Sequence, residues 1–215
     1  MLLRRPVLSI FNAVYESGPR KVKISTEIAA ELYTAVQIAP FLQRNWFRRF
    51  HTIIIAYDAC LSGGAVVYAN TTENMAERYA HLNARTMFDL DGKADREKQT
   101  TRYNALKFDD LVWKLAIQLP LSHISAHIDY KEALMSNLAL EWVTRSEGAF
   151  GKRIVILGDN VAVVSAFTKG RSSSSALQAP CKRAAAYELA ADLHLYHCWI
   201  PTAINPADAP SRKYE

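Results

Sequence analysis

The chain has 215 residues, half of them hydrophobic and 22% charged, with a formal net charge of +5. That balance suits one large domain, or one domain with an appendage, and excludes an extensively disordered chain. No apolar run approaches the roughly 20 residues needed to span a bilayer, so no membrane partner is expected. The start, M-L-L-R-R-P-V-L, lacks the long apolar stretch of a secretion signal. Cys60, Cys181 and Cys198 are odd in number and form no CxxC pair, which argues for a reducing, intracellular setting, cytoplasmic or nuclear.

Positive charge is concentrated early, at Arg4-Arg5, Arg20-Lys21-Lys23 and Arg44-Arg48-Arg49, the last group interleaved with Trp46, Phe47 and Phe50. Two readings fit. One is a surface that follows phosphates and stacks bases. The other is a helix end whose aromatics pack inward and whose arginines are solvated. Residues 25–39 have helical spacing, with Ser25 or Thr26 as N-cap and Pro40 helping to end the pattern.

Thr52 to Ala69 reads as a β-hairpin. Ile53-Ile54-Ile55 is a β-branched run, Ser62-Gly63-Gly64 a turn signal, and Asp58 ends the first strand. Residues 70–110 are polar, with a helix expected over 75–87 and an exposed loop over 89–101. Leu111 to Leu119 reads as a third strand stopped by Pro120. Asp129 to Arg145 is the clearest helix. Ile154 to Leu157 is a buried strand that runs into Gly158-Asp159-Asn160. A short helix over 161–167, a Ser-rich loop over 171–175, an alanine-rich helix over 184–195 and a last strand over 196–200 follow. No internal repeat is visible. Hairpins first and α/β alternation afterwards predict a mixed sheet flanked by helices.

Four acids fall at element ends: Asp58, Glu132, Asp159 and Asp208. Each has an ordinary structural explanation as a turn residue, a helix-dipole partner or a cap. Gathered in one pocket they would repel one another, and hard divalent cations such as Mg²⁺ would remove that repulsion. Two such ions roughly 3.5–4 Å apart can clamp the attacking and leaving oxygens of a phosphodiester. His194, His197 and Cys198 could suggest zinc, but no second ligand pair is spaced to complete a tetrahedral site.

The stretches A-Y-D-A-C-L-S-G-G (56–64), H-I-D-Y-K-E-A-L (127–134), V-I-L-G-D-N (155–160), F-T-K-G-R-S-S-S-S-A-L (167–177) and W-I-P-T-A-I-N-P-A-D-A-P-S-R (199–212) occur in that order. Together they resemble the ribonuclease H domain attached to retroelement reverse transcriptases. The resemblance implies a ribonuclease H-like α/β fold. Its five-stranded mixed sheet would have three antiparallel strands, then parallel ones, flanked by helices. It also implies that Asp58, Glu132, Asp159 and Asp208 hold two Mg²⁺ ions, with Mn²⁺ as a substitute. The activity implied is cleavage of the RNA strand of RNA–DNA hybrids, leaving 5′-phosphate and 3′-hydroxyl ends.

By the same analogy, the backbone at Ala59 and Cys60 contacts substrate. Lys169, Arg171 and Arg212 are candidate phosphate ligands. Residues 1–50 look like the tail of a polymerase thumb or connection, and 51–215 like the ribonuclease H domain, with 70–110 as an insertion. The expected partners are the hybrid and the polymerase domain of a parent polyprotein. Asp129 stands where related sequences often carry Asn, and no histidine follows Lys169 in the Ser-rich loop. The competing expectation is a domain of this fold that binds nucleic acid or braces a polymerase without cutting.

Overall fold

The computed structural model describes residues 24–41, 47–82 and 96–215. The basic residues at 4–5 and 20–23, Arg44, Trp46 and the segment 83–95 lie outside the described residues. The first described helix, α1 (Thr26–Ile38), is N-capped by Ser25, whose side chain accepts from Ile28 N.

Among the described residues five strands form one sheet: β1 (Phe50–Ala59), β2 (Gly63–Asn70), β3 (Trp113–Pro120), β4 (Arg153–Gly158) and β5 (His194–Trp199). Their order is β3-β2-β1-β4-β5. β1 pairs antiparallel with β2, and β2 with β3. β4 lies parallel to β1, and β5 parallel to β4. This is the ribonuclease H-like mixed sheet expected from the motifs. The parallel pairing of β1 and β4 brings the ends of both strands to the same edge of the sheet. Asp58 sits at the end of β1 and Asp159 directly after β4.

Helices cover both faces. One face packs against α4 (Ile128–Thr144), α5 (Val161–Lys169) and α6 (Ser175–Ala190). Ala133 and Ala139 on α4, with Ala184 on α6, are small and fully buried, so these helices can approach closely. α5 starts at Asn160, whose side chain accepts from Ala162 N and Val163 N, and ends at Gly170 in the left-handed conformation (φ 69°).

The second face is covered by α2 (Glu73–His81), where a helix is expected over 75–87, and by α3 (Arg96–Ala105), which begins in the stretch expected as loop. Tyr79, Tyr103 and Phe108 form an aromatic cluster there, with ring centroids 5.0–6.1 Å apart, packed on Ile54, Ala56, Val155 and Leu157. Residues 96–101, expected as exposed loop, are therefore helical. Three widely spaced aromatics hold the segment down, and such spacing leaves no continuous apolar stripe to read.

Other boundaries moved less. α6 begins at Ser175 rather than at 184 and ends at Ala190, so His194 and Leu195 belong to β5. Arg48 pairs with Asp192, and Arg49 with Glu73 at 2.8 Å, so these two arginines of the early basic run are committed to ion pairs within the fold.

The strand ends are held by close contacts. A Cβ on Gly158 would lie 2.5 Å from the fully buried Tyr57 ring. Glycine is thus required where β4 passes that ring, one residue before Asp159. Gly158→Ala is expected to destabilise the protein by about 1–3 kcal/mol through overpacking, read as a lower urea midpoint. Gly64→Ala should destabilise as well, because the Cβ would meet the fully buried side chains of Met135 and Leu121, at 2.5 Å from Sδ and 2.9 Å from Cδ1.

Candidate metal centre

Three elements bring one carboxylate each to the sheet edge. Asp58 comes from β1, Glu132 from the first turns of α4, and Asp159 from the turn after β4. Their carboxylate oxygens lie within 4.8 Å of one another. Asp58 and Glu132 are each only 4% exposed, and Asp159 is half-buried.

Burial and repulsion act in the same direction. Desolvation, and then the Asp159 and Asp208 charges, push Asp58 up to about 6, against the opposing hydrogen bond from Ser211. Burial, followed by the Asp58 and Asp159 charges, pushes Glu132 up to about 10. One oxygen of Glu132, Oε2, is buried without a hydrogen-bond partner. A donor set made only of oxygens, mutually repelling and partly unsatisfied, fits a hard divalent cation and can hold one. The Tyr57 hydroxyl, also buried, is raised well above the usual tyrosine range by burial and then by Glu132.

Asp208 stands apart from the other three. It opens α7 (Asp208–Ser211), and Arg212 binds its carboxylate, with Nη2 to Oδ1 at 3.0 Å and Nε to the two oxygens at 3.2 and 3.3 Å. Its charge still reaches Asp58. The structure thus brings together three of the four expected acids and places the fourth beside them in an ion pair.

Ala59 and Cys60 are buried next to Asp58. The Cys60 thiol donates to the Ser211 carbonyl at 3.2 Å and accepts from Gly63 N at 3.1 Å. Lys169 and Arg171 are exposed at the far end of α5, about 13 Å of helix from Asp159. Arg212 is exposed.

Gly63 and Gly64 invite a reading as open space beside Asp58, where a substrate backbone could come close. Instead they make room for protein. A Cβ on Gly63 would lie 2.5 Å from the Ser211 carbonyl oxygen, and one on Gly64 2.5 Å from Met135 Sδ. The zinc set also dissolves. Alternation along β5 points Cys198 toward α2, where it contacts the Tyr79 and Ala80 carbonyls, while His197 packs against Phe167 on the opposite face.

Sequence reasoning missed three supporting residues. The Ser211 hydroxyl is fully buried and lies against Asp58 Oδ2 and the Asp208 carbonyl oxygen. Asn205 donates to the Tyr57 carbonyl at 3.2 Å and so ties the C-terminal loop to β1. The Lys131 ammonium is buried and donates to the Leu61 and Leu121 carbonyls, fastening α4 to the β1–β2 turn. The available signal was their position inside N-P-A-D-x-x-S-R and directly before Glu132.

No family model and no curated protein matches the sequence. Among solved structures, the chain is similar to a foamy viral protease–reverse transcriptase in complex with RNA/DNA hybrid, with a TM-score of 0.35 and 10% identity. The match covers 95% of this chain and 44% of that one, so the chain spans less than half of that neighbour's length. A likeness this weak carries nothing about function. Strand order and pairing themselves define the class: a ribonuclease H-like α/β domain with a buried acidic cluster at its sheet edge. Among the described residues no helix is long and apolar enough to cross a membrane.

The raised carboxyls set a direction for stability. Asp58 and Glu132 hold protons in the folded state that the unfolded chain releases above its ordinary values of 3.8 and 4.5. Stability without divalent cation should therefore fall as pH rises from about 4 through about 6, by about 3 kcal/mol for Asp58, and continue down more gently toward 10 through Glu132. Urea unfolding in EDTA across this range checks it, and Asp58→Asn should flatten the first segment. Ser211→Ala should cost about 1.5–3 kcal/mol at pH 8, where Asp58 is charged, and less at pH 4.

Proposed function

We propose that the chain is a metal-dependent endoribonuclease that hydrolyses the RNA strand of RNA–DNA hybrids during reverse transcription. The observation that carries this reading is the meeting of Asp58, Glu132 and Asp159 at one edge of a ribonuclease H-like sheet. These three, with Asp208 beside them, would hold Mg²⁺, with Mn²⁺ as a substitute. A pair of bound ions would lower the pKa of a water so that its hydroxide could attack phosphorus, and would neutralise charge on the departing 3′-oxygen.

The chain's own residues do the rest. Ser211 fixes the orientation of Asp58. Burial of Asp58 and Glu132 keeps the inner wall of the site dry, which strengthens their hold on a cation. Arg212, paired with Asp208, would move to a phosphate if Asp208 turned to a cation. Lys169 and Arg171 would take the backbone farther along the hybrid, and the backbone at Ala59 and Cys60 would lie nearest the 2′-hydroxyls. Residues 1–50 are read as the tail of a polymerase thumb or connection, 51–215 as the nuclease domain with 70–110 as an insertion, and the polymerase domain as the natural partner. We read the setting as intracellular, from an odd number of cysteines without a CxxC pair.

Cleavage of a labelled RNA–DNA hybrid, with Mg²⁺ or with EDTA, tests this. The expected result is Mg²⁺-dependent nicking of the RNA strand that is abolished in Asp58→Asn and Asp159→Asn. Hybrid binding without cleavage by the unmodified chain would make it a binding module, and cutting of duplex DNA would make it a different nuclease.

A further inference from the structure

Asp129 lies in the first turn of α4, three residues before Glu132. Its Oδ1 accepts from Asn160 Nδ2 at 2.9 Å. Asn160 directly follows Asp159, and its Oδ1 already accepts the Ala162 and Val163 amides at 3.0 and 3.2 Å. The amide of Asn160 therefore has one workable orientation. Its oxygen must face the start of α5, so its NH₂ must face an acceptor. A carboxylate at position 129 is an acceptor in either orientation, and its charge strengthens the bond. That charge also suits the N-terminus of α4. Asp129 N in turn donates to His127 Nδ1 at 3.2 Å, which fixes the backbone at the start of α4.

One hydrogen bond thus joins the two elements that carry Glu132 and Asp159. We propose that Asp129 is a positioning residue of the carboxylate site: through Asn160 it holds α4 against the β4–α5 turn and sets the separation of Glu132 from Asp159. This role rests on the metal reading above. It also accounts for an extra acid beside an already repulsive cluster, because Asp129 is turned to Asn160 and is absent from the group whose oxygens converge.

Calorimetric titration of the full chain with MnCl₂, together with urea unfolding, tests the role. Asp129→Ala should weaken Mn²⁺ binding by about tenfold, the scale found when a residue supporting a metal ligand is removed. Asp129→Asn retains an acceptor and should keep most of the affinity. Asn160→Asp sets two carboxylates face to face and should weaken binding, and the exchanged pair Asp129→Asn with Asn160→Asp should recover it. A merely structural role would lower the urea midpoint without this pattern of loss and rescue. Unchanged Mn²⁺ affinity in Asp129→Ala, or an equal loss in Asp129→Asn, overturns the proposal. Absence of Mn²⁺ binding by the unmodified chain overturns the metal reading and with it the role. The clamp is then judged separately by Asp129→Ala and Asn160→Ser, which should be non-additive in urea if the two residues are coupled.

Discussion

Everything at the sheet edge answers to one electrostatic conflict. Three carboxylates, two of them almost fully buried, occupy a space in which none can ionise without raising the cost for the others. A fold chosen for stability alone would place a neutral or apolar residue at one of these positions. Here the surrounding structure holds the acids together: Ser211 against Asp58, Lys131 fastening the helix that carries Glu132, and Gly158 letting β4 run close to Tyr57 just before Asp159. Such an arrangement persists because the rest of the core over-determines it.

The C-terminal segment is the second part of this arrangement. Asn205 reaches the Tyr57 carbonyl, the Cys60 thiol reaches the Ser211 carbonyl, and Gly63 leaves room for that carbonyl to approach. The loop that looks like a tail is thereby bonded to β1 on both sides of Asp58. Asp208 is carried in by this latch and stays in an ion pair with Arg212, one step outside the inner group. The result is an inner set of three acids with the fourth in an ion pair beside it.

Much of the fold could be read in the chain. Ile53 to Ile55 and Ile154 to Leu157 are short β-branched or apolar runs that end at an acid, and period and length are enough to identify buried strands. Ser25 and Gly170 mark helix ends by local chemistry that needs no tertiary partner. On the second face a helix over 75–87 was legible, but α3 was not, because Tyr103 and Phe108 are separated by polar residues and meet Tyr79 only after the chain has folded. The start of α6 was equally hidden: its first turns contain Ser175 and Pro180, weak helix formers that tertiary packing of Leu177 and Cys181 overrides.

The sequence by itself determined which residues could make a carboxylate site and in what order the strands and helices carry them. It did so because strand periodicity, caps and acids at strand ends are local features. Only the tertiary structure decided which acids meet. The parallel pairing of β1 with β4 and the docking of α4 put Asp58, Glu132 and Asp159 within 4.8 Å. The Arg212 ion pair holds Asp208 outside that group. Those distances depend on contacts between residues up to about 150 positions apart, such as Ser211 with Asp58 and Asn205 with Tyr57, and no local pattern encodes them.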